Sequence, residues 1–455
     1  MSILIHSVLP FLGVLVVLVV IHELGHFVTA KVFGVKVLEF GIGYPPRLFG
    51  LRRGDTEYTV NVLPLGGFVR LLGEEDPSDP KSLAAQPAPQ RLVIMGAGAF
   101  MNFVLAVALF SGALMIPREV PVGRAVITQV VPGSPAEKAG LKPGDMVIKV
   151  DGRDIDSVPD LSYNIRLNLG ENTELVVRRT DPITQQVSTE SVHVTPRWAP
   201  PPYEYLVQAG DDVDSVARET GFTRSVVRAV AGVEGKLEVG RELTIVEDGE
   251  TYKHKVVEGD TIESIARGMR LDEAAVAAAA GLTLQDELTP GAVLKFPQGA
   301  TGIQIAPQYP FTERRALGPF EALKRGWRST FDSLKLARNE IYSWTQGGAS
   351  APVSGPIGIA QVTGEVVKEA GWKSLVDLAA LLSINLAIMN ILPLPMLDGG
   401  RIAFVFIEIA RRGKRIAPEK EAIVHLVGLA AMLTLAVIIT YFDVLRLIDG
   451  RSLFD

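Results

Sequence analysis

The sequence predicts an α+β membrane protein, with a polytopic helical core of about four transmembrane helices and with water-exposed modules that contain β-strands. Two observations predict this class. The 455 residues are 47% hydrophobic and 21% charged, a mixture that fits a membrane core carrying soluble modules. In addition, apolar runs that can cross a hydrocarbon layer of about 30 Å alternate with segments rich in turn-forming and charged residues.

Four apolar runs account for the predicted spans. The first has neither a basic flank nor a small-residue cleavage site, so we expect it to be retained as a helix. The third is interrupted by Pro393, Pro395 and Asp398. Broken helices at membrane depth occur where they are buried in protein or line a wet cavity, so this run is expected to belong to a site. The predicted spans cover about 4–33, 92–116, 375–409 and 422–445.

Basic residues beside the spans predict the orientation in a cell membrane. They cluster between spans one and two and between spans three and four, so both connections should be cytoplasmic. Residues 118–372 and both termini should then lie on the outer side. The amphipathic stretch Phe320–Trp344 is expected to lie along the outer surface.

Charge and cysteine content exclude several classes of protein. The net charge of −6 gives no reason to expect a nucleic-acid partner. The absence of cysteine excludes disulfides, thiolate ligands and thiol nucleophiles together. Any bound metal must therefore be held by histidine and carboxylate groups.

The first predicted span contains His22-Glu23-Leu24-Gly25-His26. On a helix, His22 and His26 share one face one turn apart. Two imidazoles at this spacing can bind one zinc ion, with Glu23 beside them to take a proton from the attacking water. The alternative is a pair of interfacial histidines at the end of an anchor helix. Ionisable groups at membrane depth are costly, which favours the metal site.

A hydrolytic zinc ion needs three protein ligands and an open position for water. Asp398 is the outstanding candidate for the third ligand, because it is a carboxylate inside an apolar run. The alternative is that Asp398 caps the next helix. The remaining histidines are placed less suitably, at the far end of span one, in exposed modules or at the start of the last span: His6, His193, His254 and His425.

The segment from about residue 38 to residue 72 is expected to form a re-entrant β-hairpin next to the metal. Tyr58 to Leu63 has strand character, and Pro64-Leu65-Gly66-Gly67 is a turn signal. The alternative is a cytoplasmic hairpin that only connects two helices.

Together these motifs resemble the site-2 protease family of intramembrane zinc metalloproteases, in its bacterial form with a PDZ domain. The resemblance covers nearly all of the chain except about 203–299, and Gly96–Ala99 departs from it where the family usually has a Gly-Pro step. The matching segments are 22–26, 64–74, 98–103, 354–360, 390–400 and 442–443.

The resemblance implies a role for each matching residue. Zn²⁺ would be bound by His22, His26 and Asp398, and Glu23 would be the general base. The hairpin around 57–70 would pair with the substrate as an added strand. Positions that the resemblance assigns to substrate binding are Asn390, Pro393, Pro395, Gly66, Gly67 and Asn102.

Val122 to about Pro196 resembles the PDZ domains of envelope proteases. Val130-Val131-Pro132-Gly133-Ser134 leads to Ala139-Gly140-Leu141-Lys142-Pro143-Gly144-Asp145, with glycines where turns need positive φ. Such a domain binds chain ends by edge addition. The alternative is a steric gate that excludes substrates with large outer domains.

Residues 203–299 contain a twofold repeat with a strand–helix–helix–strand pattern. The sequence 205–217 aligns with 253–266, and 237–243 aligns with 288–294. The repeats resemble paired LysM modules, which bind N-acetylglucosamine polymers such as peptidoglycan. The first has Asp212 where the family favours Thr. A purely structural spacer is the alternative. Eighteen acids against ten bases make the insertion acidic.

These observations predict an enzyme that cleaves transmembrane helices of single-span membrane proteins, with anti-sigma-factor-like substrates by analogy with the family. The lipid bilayer, the substrates and peptidoglycan are the expected partners. The competing class is a non-catalytic envelope scaffold or cell-wall sensor. The expected domains are a catalytic segment 1–120, a PDZ domain 121–202, LysM-like modules 203–248 and 251–298, the PDZ end with an interfacial helix 300–350, and a catalytic segment 351–455.

Overall fold

A computed structural model describes residues 7–448 except 182, 233–236, 238–239, 248–249, 258–259, 283–287 and 349–353. His6 and the start of the first predicted span lie outside the described residues. The chain divides into two compact units, one of 1–119, 314–338 and 350–455, the other of 120–313 and 339–349.

The described residues mix helices and strands, as predicted. The helices are α1 (Leu9–Val32), α2 (Ala88–Met115), α3 (Pro135–Lys138), α4 (Val158–Leu167), α5 (Val213–Thr220), α6 (Arg224–Ala231), α7 (Ile262–Met269), α8 (Glu273–Ala280), α9 (Pro319–Thr345), α10 (Pro356–Ala370), α11 (Ser374–Ile391), α12 (Asp398–Ala410) and α13 (Pro418–Ile448). The strands are β1 (Val37–Arg53), β2 (Thr56–Leu71), β3 (Arg118–Val130), β4 (Met146–Val150), β5 (Arg153–Asp154), β6 (Thr173–Thr180), β7 (Val187–Val194), β8 (Tyr203–Leu206), β9 (Glu242–Glu247), β10 (Glu250–Lys255), β11 (Val293–Phe296) and β12 (Ile303–Arg315).

Four described helices are long and apolar enough to cross a membrane, which confirms the predicted number of spans. They are α1, α2, α11 and the part of α13 from Glu419 to Arg446. The third apolar run is broken, because α11 ends at Ile391 and α12 begins at Asp398. Proline lacks an amide hydrogen and disfavours a helical residue before it, so Pro393 and Pro395 account for the interruption.

Two glycines allow the broken run to fold back on itself. A Cβ atom at Gly399 would lie 2.1 Å from the Leu392 carbonyl oxygen, and one at Gly400 would lie 2.3 Å from that of Leu394. Any side chain there would push the connecting residues away from the start of α12. The Gly-Gly pair therefore sets how closely the loop approaches Asp398.

The β1–β2 hairpin is more folded than two simple strands. Residues 39–42 of β1 pair on one side with 57–60 and on the other with 67–70 of β2. The end of β2, residues 67–71, therefore forms an edge of this sheet. The predicted strand Tyr58–Leu63 falls within β2, on the other side of β1.

The last helix is tied to the start of α10. Asp443 is buried, and its carboxylate accepts hydrogen bonds of 2.9 Å from the amides of Gly355 and Gly358. A carboxylate stabilises the positive end of a helix dipole, so this contact caps α10 from a distant part of the chain. Two segments that carry the family resemblance, 354–360 and 442–443, thus meet.

The predicted amphipathic stretch falls within α9. In the first unit, Trp327 and Phe331 pack edge-to-face against Phe103 of α2, with ring centroids 5.7 and 5.6 Å apart. A Cβ atom at Gly326 would come within 2.2 Å of the Ser111 hydroxyl, so the two helices are in close contact. Large apolar side chains such as Phe320 stay exposed on α9.

The second unit is built on one sheet with the strand order β12-β3-β4-β6-β7, and β5 pairs with β4. Its core holds fully buried side chains such as Ile127, Leu161 and Leu175. The strand β12 lies beside β3 although residues 203–299 separate it from β7. The predicted insertion therefore interrupts a single sheet.

Within the insertion the βααβ order of both repeats is present, but the strands pair between repeats. The ladder β8–β11 joins the first strand of repeat one to the last strand of repeat two, and β9–β10 joins the other two. One core combines β8, α5, α6 and β11; the other combines β9, β10, α7 and α8. The compact cores thus do not follow the expected boundaries 203–248 and 251–298.

The short connection between the repeats explains this exchange. Glu247 and Glu250 form the terminal pair of the β9–β10 ladder, and only two residues separate them along the chain. Strands with so short a connection form a hairpin with each other more readily than with distant partners. The outer strands β8 and β11 are then left to pair.

The exchange can be tested by disulfide cross-linking in the full chain, which has no native cysteine. Glu204 lies opposite Lys295 and Thr244 lies opposite Lys253, so cysteine pairs at these positions should cross-link, because directly opposed Cβ atoms lie about 5 Å apart. The pair Glu204→Cys with Thr244→Cys should stay reduced. Cross-linking of that last pair would show that each repeat closes its own sheet.

Candidate metal centre

Three predicted ligand atoms from two distant parts of the chain meet in the first unit. His22 Nε2 and His26 Nε2 lie 3.1 Å apart, and Asp398 Oδ2 lies 3.1 and 3.2 Å from them. Bonds to zinc of about 2.0–2.1 Å in a tetrahedral site place neighbouring ligand atoms about 3.3 Å apart. The three atoms therefore have the spacing and the chemistry that a zinc ion requires.

The orientation of His26 follows from its second ring nitrogen. Its Nδ1 lies 2.7 Å from the carbonyl oxygen of Ile94 on α2. A carbonyl can only accept, so Nδ1 carries the proton and donates it. The Nε2 lone pair is then directed at the centre, as a metal-binding imidazole needs.

Asn102 plays the equivalent part for His22. This side chain is fully buried on α2. Its amide nitrogen Nδ2 lies 3.3 Å from His22 Nδ1, and its buried oxygen Oδ1 has no hydrogen-bond partner among the described residues. A 180° rotation of the amide group exchanges Nδ2 and Oδ1; Oδ1 then accepts a hydrogen bond from Nδ1–H of His22 and leaves Nε2 free to bind the metal. The contact of Asn102 with substrate stays a prediction; in the structure this side chain is fully buried beside His22.

Two glycines give the imidazoles their space. A Cβ atom at Gly98 would lie 2.4 Å from His26 Nε2 and 2.6 Å from His22 Nε2, and one at Gly25 would lie 2.4 Å from the Ala97 carbonyl oxygen. Glycine inside a helix costs about 1 kcal/mol relative to alanine. Small residues at a crossing let two membrane helices approach closely. The sequence signal for this close approach is the run Gly96–Ala99, which departs from the family pattern.

Glu23 is held by the edge of the hairpin. Its Oε2 accepts a hydrogen bond of 3.0 Å from the Val69 amide. Gly66 and Gly67 allow this approach: a Cβ atom at Gly66 would lie 3.2 Å from Val19 of α1, and one at Gly67 would lie 2.9 Å from the Gly41 carbonyl oxygen. Both predicted substrate-binding glycines are buried, and they permit the contact between the sheet and α1.

Ion pairs fix the helix that begins with Asp398. Near its start, Arg401 pairs with Glu74 at 2.6 Å, and near its end, Glu408 pairs with Arg91 of α2 at 2.5 Å. Arg91 and Glu408 are both mostly buried, so removing one partner would leave an uncompensated charge. The Arg91–Glu408 pair ties α12 to α2, the helix that orients the imidazoles, and the Arg401–Glu74 pair ties α12 to the segment that follows β2.

The remaining predicted residues lie at or near the break before Asp398. Pro393 is exposed, whereas Asn390 and Pro395 are half-buried. None of the three belongs to the group of possible ligands His22, His26 and Asp398. Of the histidines set aside as ligands, His254 instead bonds Asp260 at 2.7 Å in the second unit.

Comparisons with known proteins agree with this chemistry. The family model described as peptidase family M50 matches residues 10–435. A Clostridium perfringens protein named as a zinc metalloprotease is 30% identical over 94% of this chain and 95% of its own length. The regulator of sigma-W protease RasP of Bacillus subtilis is 29% identical over 97% of this chain and 99% of its own length. The zinc metalloprotease RasP of Oceanobacillus iheyensis is 25% identical, with the same coverage.

Gly98→Ala should disrupt the metal centre even though alanine has a higher helix propensity than glycine. In Gly98→Ala the new methyl group would collide with both imidazoles, so we expect at least about a tenfold loss in zinc affinity, the scale of effect seen when ligand orientation is disturbed. Gly96→Ala is the matched control, because a Cβ atom there meets nothing within 4 Å. The measurement is the amount of zinc that each of the two variants retains per chain in competition with a chelator. Equal retention by the two variants would contradict the geometry.

Proposed function

Because the chain belongs to peptidase family M50 and is a membrane zinc metalloprotease, we propose that it cleaves the transmembrane helices of single-span membrane proteins. The observation that carries the proposal is the position of the ligand set. His22 and His26 lie on a membrane-span helix, and Asp398 follows the break in another apolar run. A centre built this way serves a substrate that is itself in the membrane.

In this proposal His22, His26 and Asp398 hold the zinc ion and Glu23 is the general base. When bound, zinc would polarise the scissile carbonyl group and acidify a water molecule. Glu23 takes a proton from that water and gives it to the nitrogen of the leaving amine. The Val69 amide keeps the Glu23 carboxylate in position for both transfers.

The substrate must present an unwound peptide bond, because a transmembrane helix satisfies every backbone amide internally. We propose that the edge formed by residues 67–71 replaces those lost hydrogen bonds by adding the substrate as a strand. This edge is next to Glu23, so pairing would bring the scissile bond to the base. Asn390, Pro393 and Pro395, near the break before Asp398, would position the other side of the substrate.

The sheet of the second unit is proposed to be a PDZ domain that selects substrates. In the order β12-β3-β4-β6-β7, β12 is an end strand, which is the kind of edge that binds a peptide by strand addition. Exclusion of proteins with large outer domains is the alternative mode. We place this unit and the insertion outside the cytoplasm of a multi-pass cell-membrane protein, from the distribution of basic residues.

The insertion is proposed to be a LysM-like pair that binds peptidoglycan. Its support is the βααβ order of the two repeats. A cleft between the two cores is lined by Phe222, Leu271, Arg224 and Glu263, a mixture of apolar and polar groups that suits a sugar polymer. A spacer is the alternative, and the excess of acids in the insertion disfavours anionic ligands.

The substrates are proposed to include anti-sigma-factor-like membrane proteins. The Bacillus subtilis relative is named as a regulator of sigma-W protease. A cut within the membrane would release the cytoplasmic part of such a protein. A non-catalytic scaffold is the competing class, and the carboxylate of Glu23 beside the ligands disfavours it, because a purely structural zinc site needs no base.

Substitution of the base and of the third ligand should have separable effects. Glu23→Gln should retain zinc and lose about 10²–10⁴-fold in the cleavage rate of a model single-span substrate, the range for a lost general base. Asp398→Ala should lose zinc as well as activity. Rates are measured in proteoliposomes and zinc by atomic emission.

Two results would contradict this assignment. Equal cleavage by wild type and Glu23→Gln would remove Glu23 from the chemistry. Unchanged zinc content in Asp398→Ala would remove Asp398 from the ligand set.

Binding to the cell wall is tested separately with the purified Glu23→Gln chain. We expect the chain to sediment with insoluble peptidoglycan and to be released by soluble N-acetylglucosamine oligomers, because both would occupy the same sugar site. A chain that stays in the supernatant would identify the insertion as a spacer.

A further inference from the structure

The loop between α11 and α12 contains a strained residue close to the third ligand. Met396, two positions before Asp398, has φ +76°. Residues with a side chain avoid this left-handed region, and they persist there only where the surrounding structure holds them. Contacts with the surrounding structure must therefore hold the backbone of Met396 in this conformation.

The amide of Met396 is bound by a histidine that the proposed chemistry does not use. It donates a hydrogen bond of 3.0 Å to His425 Nδ1, on α13. The His425 ring is buried and lies 5.5 Å, centroid to centroid, from Phe404 of α12. His425 thus contacts both the loop before Asp398 and the helix after it.

The bond determines the protonation of the ring. An amide can only donate, so Nδ1 of His425 is the unprotonated acceptor and Nε2 carries the proton of a neutral imidazole. Nε2 lies 3.9 Å from Glu421 Oε1, one turn earlier on α13, which is beyond hydrogen-bond distance. The interaction with Met396 is thus the direct polar contact that orients this ring.

A second contact brings α13 against the same loop. A Cβ atom at Gly428 would lie 2.1 Å from Cβ of Pro395, so only glycine permits this approach. Gly428 is three residues after His425, which puts both on one face of α13. The face formed by His425 and Gly428 therefore supports Pro395 and Met396 together.

We propose that His425 is a positioning residue, which acts through the Met396 amide to hold the loop that presents Asp398 to the metal. The proposal rests on the assignment of Asp398 as a ligand in the proposed function. It gives α13 a task in the active site, although this helix contributes no ligand to the group of three.

Substitutions of His425 can distinguish the effect of its acceptor nitrogen from the effect of its planar ring. His425→Phe keeps a planar ring without an acceptor, and it should weaken zinc binding by about 10- to 100-fold, the usual effect of losing an outer partner of a metal site. It should also lower kcat for a model single-span substrate, because the loop that presents Asp398 to the metal is no longer held through the Met396 amide. Zinc affinity is measured by chelator competition on the full chain in detergent.

Rescue by a conservative variant shows whether His425 acts through its hydrogen bond to the Met396 amide or only through packing of its side chain. His425→Asn places an oxygen near the position of Nδ1 and should restore zinc affinity. His425→Gln places its oxygen near the position of Nε2 and should behave like His425→Phe. Leu426→Phe is the control, because Leu426 is exposed on α13 and should show wild-type values.

Two outcomes would overturn the inference: wild-type zinc affinity in His425→Phe, or equal affinities in His425→Asn and His425→Gln. If thermal unfolding shows that His425→Phe does not fold, the comparison of the Asn and Gln variants decides alone. Failure of the proposed function would differ, since the wild-type chain would then lack zinc or Asp398→Ala would keep it.

Discussion

The close crossing of α1 and α2 is the constraint on which the rest of the site depends. Both imidazoles lie on α1 and pack directly against α2, so they can occupy the centre only where α2 has no side chain in their place. Gly25 and Gly98 remove the Cβ atoms that would block this approach. The same helix α2 then supplies the Ile94 carbonyl and the Asn102 amide, which set the tautomers of His26 and His22.

The carboxylate of Asp398 belongs to the other half of the chain. Ion pairs of α12 hold it in place, although each contributes little net stability. The pair of Arg91 with Glu408 is mostly buried, and such pairs contribute little net stability although losing one partner costs about 3–5 kcal/mol. Its value here is geometric, because it sets where α12 lies against α2. Glu23 is fixed independently, by an amide of the hairpin edge. The base and the ligands are thus positioned by different elements of one unit.

The spans and the proposed ligands could be predicted from the sequence because they rest on local rules: apolar length, helical spacing and the rarity of an intramembrane carboxylate. The broken third run was also predictable, since Pro393 and Pro395 cannot continue a helix. The roles of Gly98 and His425 were not, because they depend on which helices approach each other. The exchange of strands between the repeats was hidden for a related reason: both repeats show the same local pattern, and only the short connection at Glu247 and Glu250 favours pairing between them.

X-ray absorption at the zinc K-edge of the full-length wild-type chain tests the central claim most directly. The account predicts a tetrahedral site with two imidazole nitrogens and two oxygens, one from Asp398 and one from water, at about 2.0–2.2 Å. A spectrum that requires three imidazoles, or a six-coordinate ion surrounded only by oxygen, would contradict the ligand set of His22, His26 and Asp398.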